Sequence, residues 1–271
     1  MKKIGMIIPT TDNSFFSFLG HQVQKQLRED EQLFLCDSSN SSEKEKEYLK
    51  SLSAFCDGII DVSGLSELGE DLIEENYPLV LADRKPVTAR EIPWVGNDDS
   101  SAMEEATEYL IHKGCKNILL MPGYIAEKQE NPRISGYRKA LENNGLQYDE
   151  SFVLNRKGVK SSEEETAELV MGYFRKGIKI DGIITSSDRA AFGAVKALGR
   201  LGYYVPEDVR LISFDNSPYS LMASPSITSI DRNGALIARK ALETLRCLLE
   251  GNRPEAETVI PVSLVKNDST R

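Results

Sequence analysis

The chain has 271 residues and a formal net charge of −9, with 28% charged and 40% hydrophobic residues, proportions that suit one large globular domain or two smaller ones. That acidity argues against nucleic-acid binding by these residues themselves, which would need clustered Lys and Arg to neutralise phosphates. No apolar run approaches the ~20 residues of a membrane-spanning helix, so no membrane partner is expected. The N-terminal "MKKIGMIIPTTDNS" has only a short apolar patch with no small-residue cleavage site after it, and reads as a first buried strand rather than a signal peptide. Cys36, Cys56, Cys115 and Cys247 form no CxxC and lie in apolar segments, as reduced, buried thiols of a cytoplasmic protein do. With only His21 and His112 available, neither a metal site nor a cofactor is expected.

In chain order, the strand candidates are residues 3–9, 33–36, 57–62, 78–83, 117–123, 181–187 and 209–215. They are continuous apolar runs rather than strict alternations, as expected for strands covered on both faces of a parallel sheet. Between them fall amphipathic helices. The first carries an apolar stripe of Phe15, Phe18, Leu19, Val23 and Leu27. The second carries Tyr48, Leu49, Leu52, Phe55 and Cys56 behind the capped start "SSEKEKE". Further helices fit residues 101–113, 134–144, 162–176, 190–201 and 236–250, and five end at Gly114, Gly145, Gly177, Gly202 and Gly251, as the left-handed position after a helix favours. The alternation predicts an α/β fold of doubly wound parallel sheets. The series restarts at "KNILLMPG" with no low-complexity linker, which predicts two lobes joined by a packed hinge.

In open parallel sheets, ligands bind beyond the carboxyl ends of the strands. The first strand runs into Asp12, Asn13, Phe15 and Phe16, and "PLVLAD" ends at Asp83 and Arg84. "NILLMPG" leads to Arg133, "DGIITSS" to Ser186, Ser187 and Asp188, and "VRLISFD" to Asp215 and Asn216. Carboxylates accept two hydroxyl hydrogen bonds, arginine donates in a fixed plane, and aromatic faces take the C–H side of a sugar ring, so these ends suit a polyhydroxylated ligand. Each residue also has an ordinary role. Asp12, Ser187 and Asp188 are as readily helix caps as contacts. Asp83 and Arg84 could form a surface ion pair worth ~0–1 kcal/mol. Phe15 could belong wholly to the core, and Arg133 could be a solvated residue, although the helix dipole disfavours Arg there.

"IGMIIPTTDNSFF", "PLVLADR", "RISGYRKALENNGL", "SSDRAAFGAVKALGRLGYYVPEDVRLISFDNSPYS", "PSITSIDRNGALIARKALETL" and the final "PVSLVK" together resemble the effector-binding core of lactose-repressor-type (LacI/GalR) transcription regulators. The most specific part is "GYYVPEDVRLISFDNS" followed closely by "PSITSI". The resemblance implies a periplasmic-binding-protein-like fold (type I) whose two lobes are joined by a multi-strand hinge. The lobes would be residues 1–113 with 230–252 and residues 114–229 with 253–271. It implies a homodimer in the cytoplasm that binds a small effector, a sugar or a nucleobase, in the interlobe cleft and so modulates DNA binding by an N-terminal helix-turn-helix. That headpiece is missing from the sequence, as expected for an expressed fragment or, alternatively, a headless homologue. A phosphorylated carrier protein is a co-regulator in some relatives and a further partner the resemblance allows.

On that resemblance the ligand-binding positions are Asn13, Phe15, Phe16, Asp83, Arg84, Arg133, Ser187, Asp215 and Arg232. Three departures stand out: Ser14 where Pro is usual, Ser187 where Asn is usual, and Arg232 where Gln is common. Arg232 would favour an anionic effector, so a pentose and a sugar phosphate are both candidates. The alternative function is a sugar-binding protein of an uptake system. An enzyme is not expected: Asp83 and Asp215 could do acid–base work on a glycoside, but no nucleophile elbow, P-loop or zinc motif accompanies them.

Overall fold

The computed structural model describes residues 1–68, 73–74, 76–86, 88, 90–123, 131–154 and 163–271. In chain order the elements begin β1 (Lys2–Ile8), α1 (Ser14–Lys25), β2 (Glu31–Asp37), α2 (Ser42–Ser53), β3 (Gly58–Asp61), β4 (Leu79–Ala82) and β5 (Trp94–Gly96). They continue with α3 (Asp99–His112), β6 (Ile118–Met121), α4 (Pro132–Asn143), α5 (Glu163–Arg175), β7 (Gly182–Thr185), α6 (Asp188–Leu201) and β8 (Arg210–Phe214). The last are α7 (Pro218–Met222), β9 (Thr228–Asp231), α8 (Gly234–Leu249), β10 (Glu257–Val259) and β11 (Ser263–Val265). The chain divides into two compact units, Met1–Asn97 with Asn233–Pro261 and Asp98–Arg232 with Val262–Arg271.

The first unit holds a sheet in the order β10-β5-β4-β3-β1-β2, parallel throughout. Side chains alternate across it. Ile4, Met6, Ile8, Ile60 and Val80 pack on Phe15, Leu19 and Val23 of α1 and Ile237 and Leu242 of α8. Ile7, Ile59, Leu79 and Leu81 point the other way, onto Leu49 and Leu52 of α2. Both faces are covered, which is why the strands read as unbroken apolar runs.

The second unit repeats the plan with the order β11-β9-β8-β7-β6, in which only β11 is antiparallel to its neighbour. One core joins Ile118, Leu120, Ile184, Ile212 and Phe214 to Met103, Ala106 and Leu110 of α3 and Tyr137 and Leu141 of α4. The other joins Leu119, Ile183 and Leu211 to Val170 of α5 and Ala191, Ala194 and Leu198 of α6.

The contact between α3 and α4 needs a glycine. A Cβ on Gly136 of α4 would lie 2.0 Å from the Ser100 carbonyl oxygen of α3, a backbone atom that no rotamer change can move. Gly136→Ala should therefore cost about 1–3 kcal/mol through overpacking. Gly172→Ala, in α5 with nothing within 4 Å of the added carbon, should instead gain about 0.8–1 kcal/mol from helix propensity. Urea unfolding of the two variants checks the contrast, and equal effects would contradict it.

Several expectations from the sequence shift. The first junction lies at 97/98 rather than 113/114, because α3 buries its apolar side in the second unit. Residues 230–232 stay in the second unit, where β9 pairs with β8. Residues 253–261, expected in the second lobe, complete the first, with β10 pairing to β5. Pro261, a residue without an N–H donor, lies between β10 and β11. Helices α3, α4, α6 and α8 each begin two residues earlier than expected, because their first turns are polar or small. For α5, the expected first residue, 162, lies outside the described residues. Phe18 and Phe55, placed in core stripes, are 42% and 49% exposed, while Phe16 and Leu19 complete the buried side of α1. Lys3 Nζ sits 3.9 Å from the Phe55 ring centroid. All four cysteines are free: Cys56 and Cys115 are buried and Cys36 and Cys247 are half-buried. Burial pushes the Cys56 and Cys115 thiols up to about 11. The glycines closing five helices, 114, 145, 177, 202 and 251, all take positive φ.

Candidate functional site

In the first unit, the residues of interest lie at the carboxyl ends of β1, β3 and β4. Asn13 is the cap of α1, its Oδ1 accepting from the Phe15 N–H at 2.8 Å, so the cap role falls to Asn13 rather than to Asp12. Phe15 and Phe16 are 4% and 6% exposed and meet edge to face at 5.6 Å. Both belong to the core between the sheet and helices α1 and α8. Asp83 follows β4 with φ +64, and its carbonyl oxygen accepts from the Trp94 Nε1–H at 3.2 Å. A left-handed conformation at a non-glycine residue costs of order 1–3 kcal/mol and is enriched at functional positions. Arg84 donates from Nη1 to the Ser63 carbonyl at 3.2 Å, with its guanidinium carbon 5.3 Å from the Phe16 ring centroid. The structure thus brings Phe16 and Arg84 together.

The second unit assembles a tighter group. Arg133, 8% exposed, is the second residue of α4, after the Asn131 cap and Pro132. Its Nε donates to Asp99 Oδ2 at 3.0 Å and its Nη1 to the Ser186 carbonyl at 3.2 Å. Its guanidinium carbon lies 4.1 Å from the Phe214 ring centroid. Asp99 opens α3 and also lies 3.9 Å from Arg232, which in turn is 3.6 Å from Asp215. Arg133, Asp99, Arg232 and Asp215 therefore run as a chain of alternating charges. Asp215, like Asp83, ends its strand with positive φ, here +102, while its N–H donates to the Ile230 carbonyl at 2.9 Å. An acid in this unusual backbone state closes a strand in each unit.

Ser187 takes the cap role. Its hydroxyl accepts from the Ala190 N–H at 3.3 Å, which leaves the hydroxyl hydrogen for a ligand oxygen. Asp188, open between cap and contact from the sequence, is structural: it is 1% exposed and accepts from the hydroxyls of Ser213 and Ser229 and from the Ser217 N–H. Burial raises its carboxyl above the usual range and these donors pull it back. Sequence reasoning misses Asp99 and Phe214, and places Ser186 at a strand end without the role of its carbonyl in seating Arg133. A signal for Asp99 was present in "NDDSS": Asp98 accepts from the Ser101 N–H as the cap, so the second Asp is not needed for capping.

Residues 107–270 match the periplasmic binding protein-like domain family. The chain is 28% identical to the ribose operon repressor of Halalkalibacterium halodurans, with 99% of this chain and 79% of that protein covered. It is 30% identical to catabolite control protein A of Staphylococcus aureus over 84% of this chain and 68% of that one. Among solved structures it is similar to the transcription regulator CcpA of Lactococcus lactis, with a TM-score of 0.85, 26% identity and both chains covered in full. A periplasmic binding protein/LacI transcriptional regulator from Alkaliphilus metalliredigens, complexed with D-xylulofuranose, gives a TM-score of 0.86 at 25% identity, again over the whole of both chains.

Proposed function

The chain belongs to the lactose-repressor-type (LacI/GalR) family as its effector-binding core with the periplasmic-binding-protein-like fold, and from that premise we propose that it binds a neutral sugar, most simply a pentose. Binding would modulate the grip of a helix-turn-helix headpiece on DNA in a cytoplasmic homodimer. The candidate contacts of the first unit are Asn13, Phe15, Phe16, Asp83 and Arg84, and those of the second are Arg133, Ser187, Asp215 and Arg232.

The observation that carries this reading is the four-charge chain of the second unit. Two guanidiniums face two carboxylates, so the charge of Arg232 that favoured an anionic effector is offset by Asp99 and Asp215. Asp83 and Arg84 likewise cancel in formal charge within the first unit. A neutral polyol can take donors from the arginines and give its hydroxyl hydrogens to the carboxylates. A phosphate would have to face Asp99 and Asp215 as well. One relative is named for ribose and one similar structure holds D-xylulofuranose, which supports a pentose. The relatives named above are transcription regulators, which favours regulation over uptake.

A thermal-shift panel of pentoses, ketopentoses, hexoses and their phosphates tests it. A neutral pentose at ~100 times its Kd should add about 2.7 kcal/mol of stability. Folded protein whose melting no neutral sugar raises would sink the proposal.

A further inference from the structure

Asp61 and Glu45, both fully buried, are hydrogen-bond neighbours between β3 and α2 of the first unit. Strand alternation puts Asp61 on the same side of the sheet as Ile59, which packs on Leu49 and Leu52 of α2. Its partners on the flanking strands are Ile7 and Leu81. Two ionised carboxylates side by side in such apolar surroundings would be costly.

The hydrogen bonds show how the two differ. Both oxygens of Glu45 accept from the Leu65 N–H, at 3.2 and 3.0 Å. Asp61 Oδ1 accepts from the Ser63 N–H at 2.9 Å, while its buried Oδ2 meets no N–H or O–H donor among the described residues. A proton on Asp61 Oδ2, donated to Glu45, satisfies the group. Burial and then the charge of Glu45 hold the Asp61 carboxyl well above the usual range.

The segment held by this pair is the seat of Arg84. Ser63 gives its carbonyl to Arg84 Nη1 and shares a hydrogen with the Ser38 hydroxyl at 2.7 Å. Gly64, at φ +57, lies so close beneath Arg84 that an added Cβ would be 2.5 Å from the Arg84 Cβ.

We propose that Asp61 and Glu45 share one proton and, as a carboxylic acid–carboxylate pair, position Arg84, so that ligand affinity falls as that proton is lost. The Arg84 part rests on the reading of Arg84 as a ligand contact. From α2 the titratable group facing Asp61 is Glu45, and from the end of β4 it is Arg84, acting through Ser63. The neighbouring positions on β1 and β4 are apolar, and Asp37 of β2 is turned to the Thr11 N–H and hydroxyl. On the opposite side of the sheet, Arg246 of α8 is tied to Glu31. Glu43 of α2 accepts from the Ser41 and Ser42 hydroxyls instead.

Asp61→Asn is the direct test, because a carboxamide donates to Glu45 without an ionisable proton. The folded wild type keeps a proton that the unfolded chain releases in the ordinary Asp range, so its stability falls as pH rises above that range, until the folded-state value is passed. Against Asp61→Asn, the wild-type folding equilibrium should lose about tenfold per pH unit across that window. Glu45→Gln, which can accept from Leu65 and donate to an ionised Asp61, should flatten the profile as well. Parallel stability profiles for all three proteins would overturn the shared proton. Affinity for a neutral pentose should fall with rising pH in the wild type and stay flat in Asp61→Asn, and equal pH profiles would overturn the positioning of Arg84. If no sugar binds at any pH, the sugar reading and the Arg84 role fail together, while the stability profiles still decide the proton sharing.

Discussion

Arg133→Ala lowers the affinity for a neutral pentose by about 1.5–3 kcal/mol, the worth of a hydrogen bond from a charged donor to a sugar oxygen. The first turn of α4 is an unfavourable place for a cation, since the helix dipole is positive there. The fold nevertheless holds Arg133 in it with Asp99 at 3.0 Å, the Ser186 carbonyl at 3.2 Å and the face of Phe214. A charge kept against the dipole by three separate elements is positioned for something beyond its own helix. Arg133→Lys should recover part of the affinity, because an ammonium keeps the charge and loses the planar fork. Titration calorimetry with wild type and both variants measures this. Unchanged affinity in Arg133→Ala would remove the residue from the site.

Phe214→Ala has the largest expected effect on stability, about 3–5 kcal/mol for deleting a buried aromatic side chain. Phe214 has 0% exposure and closes the core formed by Ile184, Ile212, Ile230 and Tyr137. It is also the surface on which the Arg133 guanidinium rests. Phe214→Leu separates the two roles. It should restore most of the packing while giving up the cation–π contribution, about 0.5–2 kcal/mol, which would appear as weaker sugar binding. Urea unfolding followed by a probe in the second unit reads the stability term, since two units need not unfold as one. A loss below ~1 kcal/mol in Phe214→Ala would contradict the packing account.

Much of this architecture is legible in residue patterns. Runs such as "KIGMIIP" and "NILLMPG" are strands covered on both sides, and their carboxyl ends collect Asp83, Arg133, Ser187 and Asp215 where a parallel sheet is expected to hold a ligand. What escaped depends on contacts far apart in sequence. β5, only three residues long, takes its place through pairing with β4 and β10, which no local pattern reveals. The junction between units moved because α3 looks equally amphipathic whichever sheet it covers. Phe16 and Phe18 differ by about 160° around α1 at ~100° per residue, and only the packed helix shows that Phe16 is the buried one. Asp99 looks like a spare acid beside a cap until Arg133 and Arg232 arrive from other elements. Glu45 looks like one more charge on a solvated helix, and its burial against Asp61 appears only when α2 lies on β3.

On the proposed reading, alternating, mutually offsetting charges at the strand ends select a neutral sugar. Titration calorimetry of the same protein with a neutral pentose and with its 5-phosphate tests it most directly. Saturable binding of the neutral pentose and at least tenfold weaker binding of the phosphate are expected. Tighter binding of the phosphate, or heat from neither ligand with folded protein in the cell, would contradict it.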